Sequence, residues 1–257
     1  MKYHINLSAF DCSFYMYIND IPFLDMRRAG NTSTTMFLNK FLVNNSNVLT
    51  AKLNPAPGED ALSASSYLRA SIYYEDTATK EKIVIKEIST PVFGSDDKIP
   101  VPDFFNLIDY FIVESIPDDR LLSGTVITDS VDFQELLMKK YDLIWKYFQE
   151  KDMANIKTFF NERDIDYGRV FEKRIGQQEA ETEEDYANYL NNSSLDLWVM
   201  KKEKMVFKIY LNGKLACYEL KNGNSPLCFV NNEEQYAIYI KMYFQLNPIT
   251  NDFVVIR

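Results

Sequence analysis

Residues 129–148 read DSVDFQELLMKKYDLIWKYF, with Phe133, Leu137, Tyr141, Ile144 and Phe148 three or four positions apart behind Asp129 and Ser130. That spacing puts one apolar stripe on a helix, and either leading side chain can accept from the free amides of its first turn. The residues before this stretch, and most of those after it, carry a different period. The helix therefore divides the chain.

On the amino-terminal side the apolar period is close to two. SFYMYI at 13–18 is followed by Asn19-Asp20 and then Ile21-Pro22-Phe23-Leu24, which reads as strand, turn, strand. The same reading places strands at 47–53, 66–74, 82–88 and 104–114, with Asn54-Pro55-Ala56-Pro57-Gly58 interrupting regular structure. Residues 32–43 fit either a strand or a short helical turn. Several short strands, each with one face to bury, imply an antiparallel β-sandwich over 1–116. Prolines at 91, 100, 102 and 117 and the Asp96-Asp97 turn mark loops, and 117–128 reads as a linker.

On the carboxy-terminal side, 152–161 and 165–174 suggest two shorter helices, Gly168 weakening the second. Thr182 with Asp185 resembles a helix start, and Glu183, Glu184 and Asp185 suit the positive end of its dipole. From 195 the chain returns to strands. Met205–Leu211, Asn212-Gly213 and Lys214–Leu220 form a hairpin, because Asn-Gly supplies the positive φ angles of a two-residue turn. Asn222-Gly223 is a second turn, 235–246 a long strand and 252–256 the last one. The expected class is α+β, a sandwich followed by a domain over 129–257 whose helices (129–192) pack on a curved antiparallel sheet (195–257).

The order of elements after the linker, a long capped helix with Trp145, shorter helices and then a meander, resembles the NTF2-like cone of α+β proteins. The resemblance rests on topology, covers about half the chain and carries over no catalytic residue. A sandwich joined to such a module is similar to accessory and immunity-type proteins of bacteria.

Composition narrows the chemistry. With 46% hydrophobic and 25% charged residues, the chain is neither collagen-like, nor a disordered tail, nor a disulfide scaffold. A net charge of −9 gives no basic surface for phosphate backbones, so nucleic acid is an unexpected partner. Lys201, Lys202 and Lys204, interrupted by Glu203, read as a solvated hairpin end. No apolar run is long enough for a secretory leader or a membrane span, and Cys12, Cys217 and Cys228 lack a Cys-x-x-Cys pair; a cytoplasmic protein with reduced thiols is expected.

His4 is the only histidine, which leaves triads, Cys-His dyads and His/Cys zinc sites short of parts; it reads as an ordinary first-strand residue. The eight glycines form no phosphate-cradling loop, so neither a cofactor nor a metal is expected. Asp96-Asp97 and Asp118-Asp119 lack calcium-loop spacing and read as turns. Asp142, Asp196 and Glu234 stand out among the carboxylates only for their aromatic neighbours.

Aromatic residues reach 14%, and Tyr141, Trp145, Tyr147 and Phe148 of the long helix with Tyr236 and Phe244 of the long strand gather where the carboxy-terminal sheet would face that helix. The expected function is non-enzymatic protein binding, by an acidic cytosolic inhibitor that covers a basic toxin or effector. Two alternatives remain. One is a small-molecule pocket, enzymatic or not, lined by Tyr141, Trp145, Trp198, Tyr239 and Tyr243. The other is a structural subunit, including a homo-oligomer paired through a sheet edge.

Overall fold

The computed structural model describes residues 1–27, 30–76, 79–94, 99–116, 120–199 and 201–256. Asp96-Asp97, Asp118-Asp119 and the start of the expected linker at Pro117 lie outside the described residues. Two compact units divide the chain at Pro117/Asp118.

Among its described residues the first unit holds eight strands: β1 (Lys2–Phe10), β2 (Ser13–Ile18), β3 (Ile21–Met26), β4 (Thr32–Phe37), β5 (Asn45–Asn54), β6 (Tyr67–Glu75), β7 (Lys82–Ser89) and β8 (Phe105–Val113). They form two antiparallel four-stranded sheets, sheet A in the order β4-β1-β6-β7 and sheet B in the order β3-β2-β5-β8. Alternation decides which face is core. Tyr3, Ile5 and Leu7 of β1 and Leu68, Ala70 and Ile72 of β6 are buried, as are Phe14, Met16 and Ile18 of β2 and Leu49, Ala51 and Leu53 of β5.

Asn19 and Asp20 both have positive φ, so the β2–β3 connection is the expected two-residue turn, with Ile18 opposite Ile21. Pro22 sits on edge strand β3 where the register slips past Met16, a place that asks nothing of its missing N–H. The ambiguous stretch 32–43 resolves as both options in turn: Thr32–Phe37 is a strand and Asn39–Phe41 a 3-10 turn.

The second unit begins earlier than a free linker would allow. Within 120–128, Leu121 and Ile127 are buried, the Thr125 amide donates to Leu246 O at 2.9 Å, and the Ile127 amide donates to Gly213 O at 2.7 Å. Two glycines permit this packing. A Cβ on Gly124 would stand 2.1 Å from Gln245 Cγ, and one on Gly213 would stand 2.9 Å from Ile127 O.

Helix α1 (Val131–Gln149) starts at Ser130, whose Oγ accepts from the Phe133 amide. Helix α2 (Met153–Val170) is one helix where two were expected, and α3 (Gln177–Asn191) begins five residues before Thr182. Both corrections have one cause. The polar run 161–164 is no break: Arg163 and Asp164 are buried against Thr182 and Tyr186, so these polar side chains form the seam between two helices.

Seven strands follow among the described residues: β9 (Asp196–Val199), β10 (Met205–Tyr210), β11 (Leu215–Leu220), β12 (Leu227–Asn231), β13 (Tyr236–Tyr239), β14 (Phe244–Leu246) and β15 (Phe253–Val255). Asn212 and Gly213 both have positive φ, but so does Leu211, and the last pair of the hairpin is Tyr210 with Leu215; the connection is a four-residue loop, 211–214, in place of the expected two-residue turn.

The expected long strand 235–246 is broken between β13 and β14. Ile240 still donates to Leu227 O of β12, but Tyr243 O already accepts from Ile256, so the chain crosses from one sheet to another. The single curved sheet is thus two antiparallel sheets, C (β10-β11-β14-β15) and D (β13-β12-β9). Helices and both sheets share one core, in which Leu137, Tyr141, Ile144 and Phe148 meet Tyr218, Phe229, Phe244 and Phe253.

Candidate functional site

The five aromatic residues expected around one pocket occupy three different places. Tyr141 and Trp145 are core residues of α1, their rings 6.0 Å apart. The Tyr141 hydroxyl donates to Tyr218 O at 3.3 Å and accepts from the Tyr218 amide at 3.1 Å, joining helix to strand β11. Burial pushes its pKa well above the ordinary phenol value. Tyr243 immediately precedes β14 and packs against Tyr210 of β10, ring centroids 5.7 Å apart, and burial raises its pKa in the same direction.

Trp198 and Tyr239 are brought together, on the opposite side of the core wall. Cys228 of central strand β12 is paired with Trp198 of β9 and with Tyr239 of β13, so the three form one row across sheet D. Directly paired residues share a face. The neighbouring row, Leu197, Phe229 and Ile238, packs into the core, which turns the Trp198 row outward. Both rings remain 48% and 42% exposed while Cys228 between them is covered. Large half-exposed rings over a flat sheet supply contact area that loses little side-chain entropy on binding.

Carboxylates gather at one end of this face. Asp196 is two residues from Trp198 on the same side of β9, and Asn232 in the β12–β13 turn donates to its Oδ2 at 3.0 Å. Glu233 and Glu234 belong to that same turn, where their amides donate to Asn231 Oδ1. All three acids are exposed, and among the described residues none has a basic partner. Asp142, by contrast, is held by Lys202 at 2.8 Å. That pair ties the lysine run past the far end of β9 to helix α1.

The remaining reactive groups are inert by environment. Cys12, Cys217 and Cys228 are free and buried. Burial pushes the Cys12 thiol up to about 11 and moves the other two upward as well, away from the reactive thiolate. His4 stacks on Tyr73 with centroids 5.3 Å apart, and burial lowers its pKa. Among the described residues no three His, Cys, Asp or Glu side chains converge as a metal site would need, and no helix is long and apolar enough to cross a membrane.

The sequence suggests one pocket for Trp198 and Tyr239, and the structure does bring these two together, but nothing in the sequence joins Asp196 or Glu234 to them. The missing information was the pairing of β12 with both neighbours, which is non-local. Sequence reasoning also missed the outward face of sheet A, whose signal is the alternation of Asn6 and Ser8 with buried residues in β1. Comparison with known protein families, with curated proteins and with solved structures finds no match.

Proposed function

We propose that this chain is a non-catalytic protein-binding protein whose recognition surface is the outward face of sheet D. The observation that carries the reading is the juxtaposition of Trp198 and Tyr239 with Asp196, Glu233 and Glu234, acids that have no basic partner among the described residues. Aromatic side chains of this kind anchor interfaces, and an unneutralised acidic rim steers a basic partner toward them. The most concrete form is a cytoplasmic inhibitor, of the bacterial immunity type, that covers a basic toxin or effector. The net charge of −9 and three unpaired thiols support that setting.

The immobilised full chain, presented to a lysate, should retain one stoichiometric basic protein. Retention should weaken at least tenfold in Trp198→Ala/Tyr239→Ala. In Asp196→Lys/Glu233→Lys/Glu234→Lys the association rate should fall and lose its salt dependence. The circular dichroism of each variant should match that of wild type, which separates loss of binding from loss of fold. Equal retention by wild type and both variants, or no retention at either low or physiological salt, would overturn the proposal.

A further inference from the structure

The sandwich carries a second surface of different chemistry. The outward face of sheet A forms an open groove of about 790 Å³. Its floor is two rows of side chains running across the four strands. One is Thr35, Asn6, Ser71 and Glu87, and the other is Ser33, Ser8, Arg69 and Ser89, in the order β4, β1, β6, β7.

Six of these eight side chains are neutral hydroxyls or an amide. Apart from Thr35 donating to Asn6 Oδ1 at 2.6 Å and Ser8 meeting the Tyr67 hydroxyl at 3.4 Å, they make no side-chain hydrogen bond among the described residues. The two charged members, Arg69 and Glu87, form no ion pair among the described residues; the Arg69 guanidinium lies 5.0 Å from the Tyr67 ring.

Aromatic rows close both ends of the floor. On one side are Phe37, His4 and Tyr73; on the other, Phe10 and Tyr67 lie nearly parallel at 19° with centroids 6.1 Å apart, and Phe10 is 39% exposed. Outward residues repeat every roughly 7 Å along a strand, so His4 and Phe10 bracket the two polar rows over roughly 20 Å.

We infer that this groove binds a neutral oligosaccharide laid along β1 and β6. Each sugar hydroxyl is both donor and acceptor, which matches a floor of serine, threonine and asparagine better than it matches any charged or apolar ligand. Arg69 and Glu87 offer planar two-point donors and acceptors to vicinal hydroxyls. The exposed Phe10 ring, backed by Tyr67, offers a stacking platform to the apolar face of a sugar ring. One arginine balanced by one glutamate gives no attraction for phosphate, sulfate or a sialylated chain.

The groove and the proposed protein-binding face lie in different units, so the two readings fail separately. The test is an array of neutral, sialylated and sulfated glycans probed with the full chain, followed by titration of the strongest hit. At least one neutral glycan should bind. Arg69→Ala and Phe10→Ala should each weaken it at least tenfold, while Trp198→Ala/Tyr239→Ala leaves it unchanged. Circular dichroism of each variant should match that of wild type, since only exposed positions are altered. Absence of any neutral glycan, binding confined to anionic glycans, or binding that survives both groove substitutions would overturn the inference.

Discussion

Each unit contains a buried polar knot, one around Asn47 and one around Arg163, and these two are built on opposite principles. In the sandwich the knot is neutral: Asn47 is fully buried, its Nδ2 donating to Val43 O at 2.8 Å and Asn45 O at 3.2 Å, its Oδ1 accepting from the Val43 amide at 2.9 Å and from Asn19 at 2.8 Å. In the second unit it is charged. Arg163 donates to Asp164 through Nε at 3.0 Å and Nη2 at 2.8 Å, to the Tyr186 hydroxyl at 2.9 Å, and lies 4.1 Å over the Phe160 ring. The asparagine bonds chiefly to backbone and shapes a turn. The arginine bonds to side chains of its own and a second helix and determines how α2 and α3 meet.

Because the partners differ in kind, the remedies for losing a knot differ too. Arg163→Met leaves Asp164 as a buried carboxylate without its counter-charge and should destabilise the second unit by about 3–5 kcal/mol, the largest effect anticipated for a single change. Adding Asp164→Leu, Thr182→Val and Tyr186→Phe removes the groups that lose Arg163, leaves only the part-buried Gln178 amide without its bond to Thr182, and should recover most of that loss. Denaturant unfolding of the full chain, with peptide-resolved hydrogen exchange, would place the change in α2 and α3 and leave β1–β8 protected as before. A single variant no less stable than wild type would show that the seam does not depend on its charge pair.

Asn47→Leu should cost less, about 1–3 kcal/mol, and should have no comparable rescue. Its unpaired partners would be the Val43 amide and carbonyl, which no side-chain substitution can delete. The same exchange experiment should show lost protection around 43–48 with the second unit unaffected. Recovery through an apolar replacement at Asn19 alone would erase the distinction between the two knots.

The same division explains how far the sequence could be read. Ser130 before α1, Asn19-Asp20 and Asn212-Gly213 act through bonds or φ angles within a few residues, and each lies where the pattern puts it, although the loop around Asn212-Gly213 is four residues long and not two. Arg163 and Asp164 look like a break in α2 because their partners Thr182 and Tyr186 are 18 to 23 residues away. Thr182 in turn mimics a cap while its hydroxyl donates to Asp164. The strand break after Tyr239 was hidden for a similar reason: Ile240, Met242, Tyr243 and Phe244 are all buried, so no alternation marks the passage between sheets. At the candidate site the aromatic and acidic residues were visible, and the row that joins Trp198 to Tyr239 through Cys228 was not.

Acidification offers the gentlest way to separate the units, since the chain's one histidine lies in the sandwich. Burial between Tyr73 and Phe37 holds the folded-state pKa of His4 below its ordinary value of 6.5. A depressed folded value means that the neutral ring is preferred on folding. Its contribution is present above pH 6.5 and is lost as pH falls through the lower folded value. Asp109 of β8, held low by its hydrogen bond to Lys86 at 2.8 Å, acts in the same direction but only below its ordinary 3.8. Between pH 7 and 5 the sandwich midpoint should therefore fall, whereas in the second unit burial raises the Asp164 carboxyl, which works in the opposite direction and adds stability as pH falls. His4→Phe keeps the ring contacts and removes the titrating group, so its sandwich midpoint should not move over that interval. A pH response that persists in His4→Phe would assign the effect to another group and withdraw this contrast.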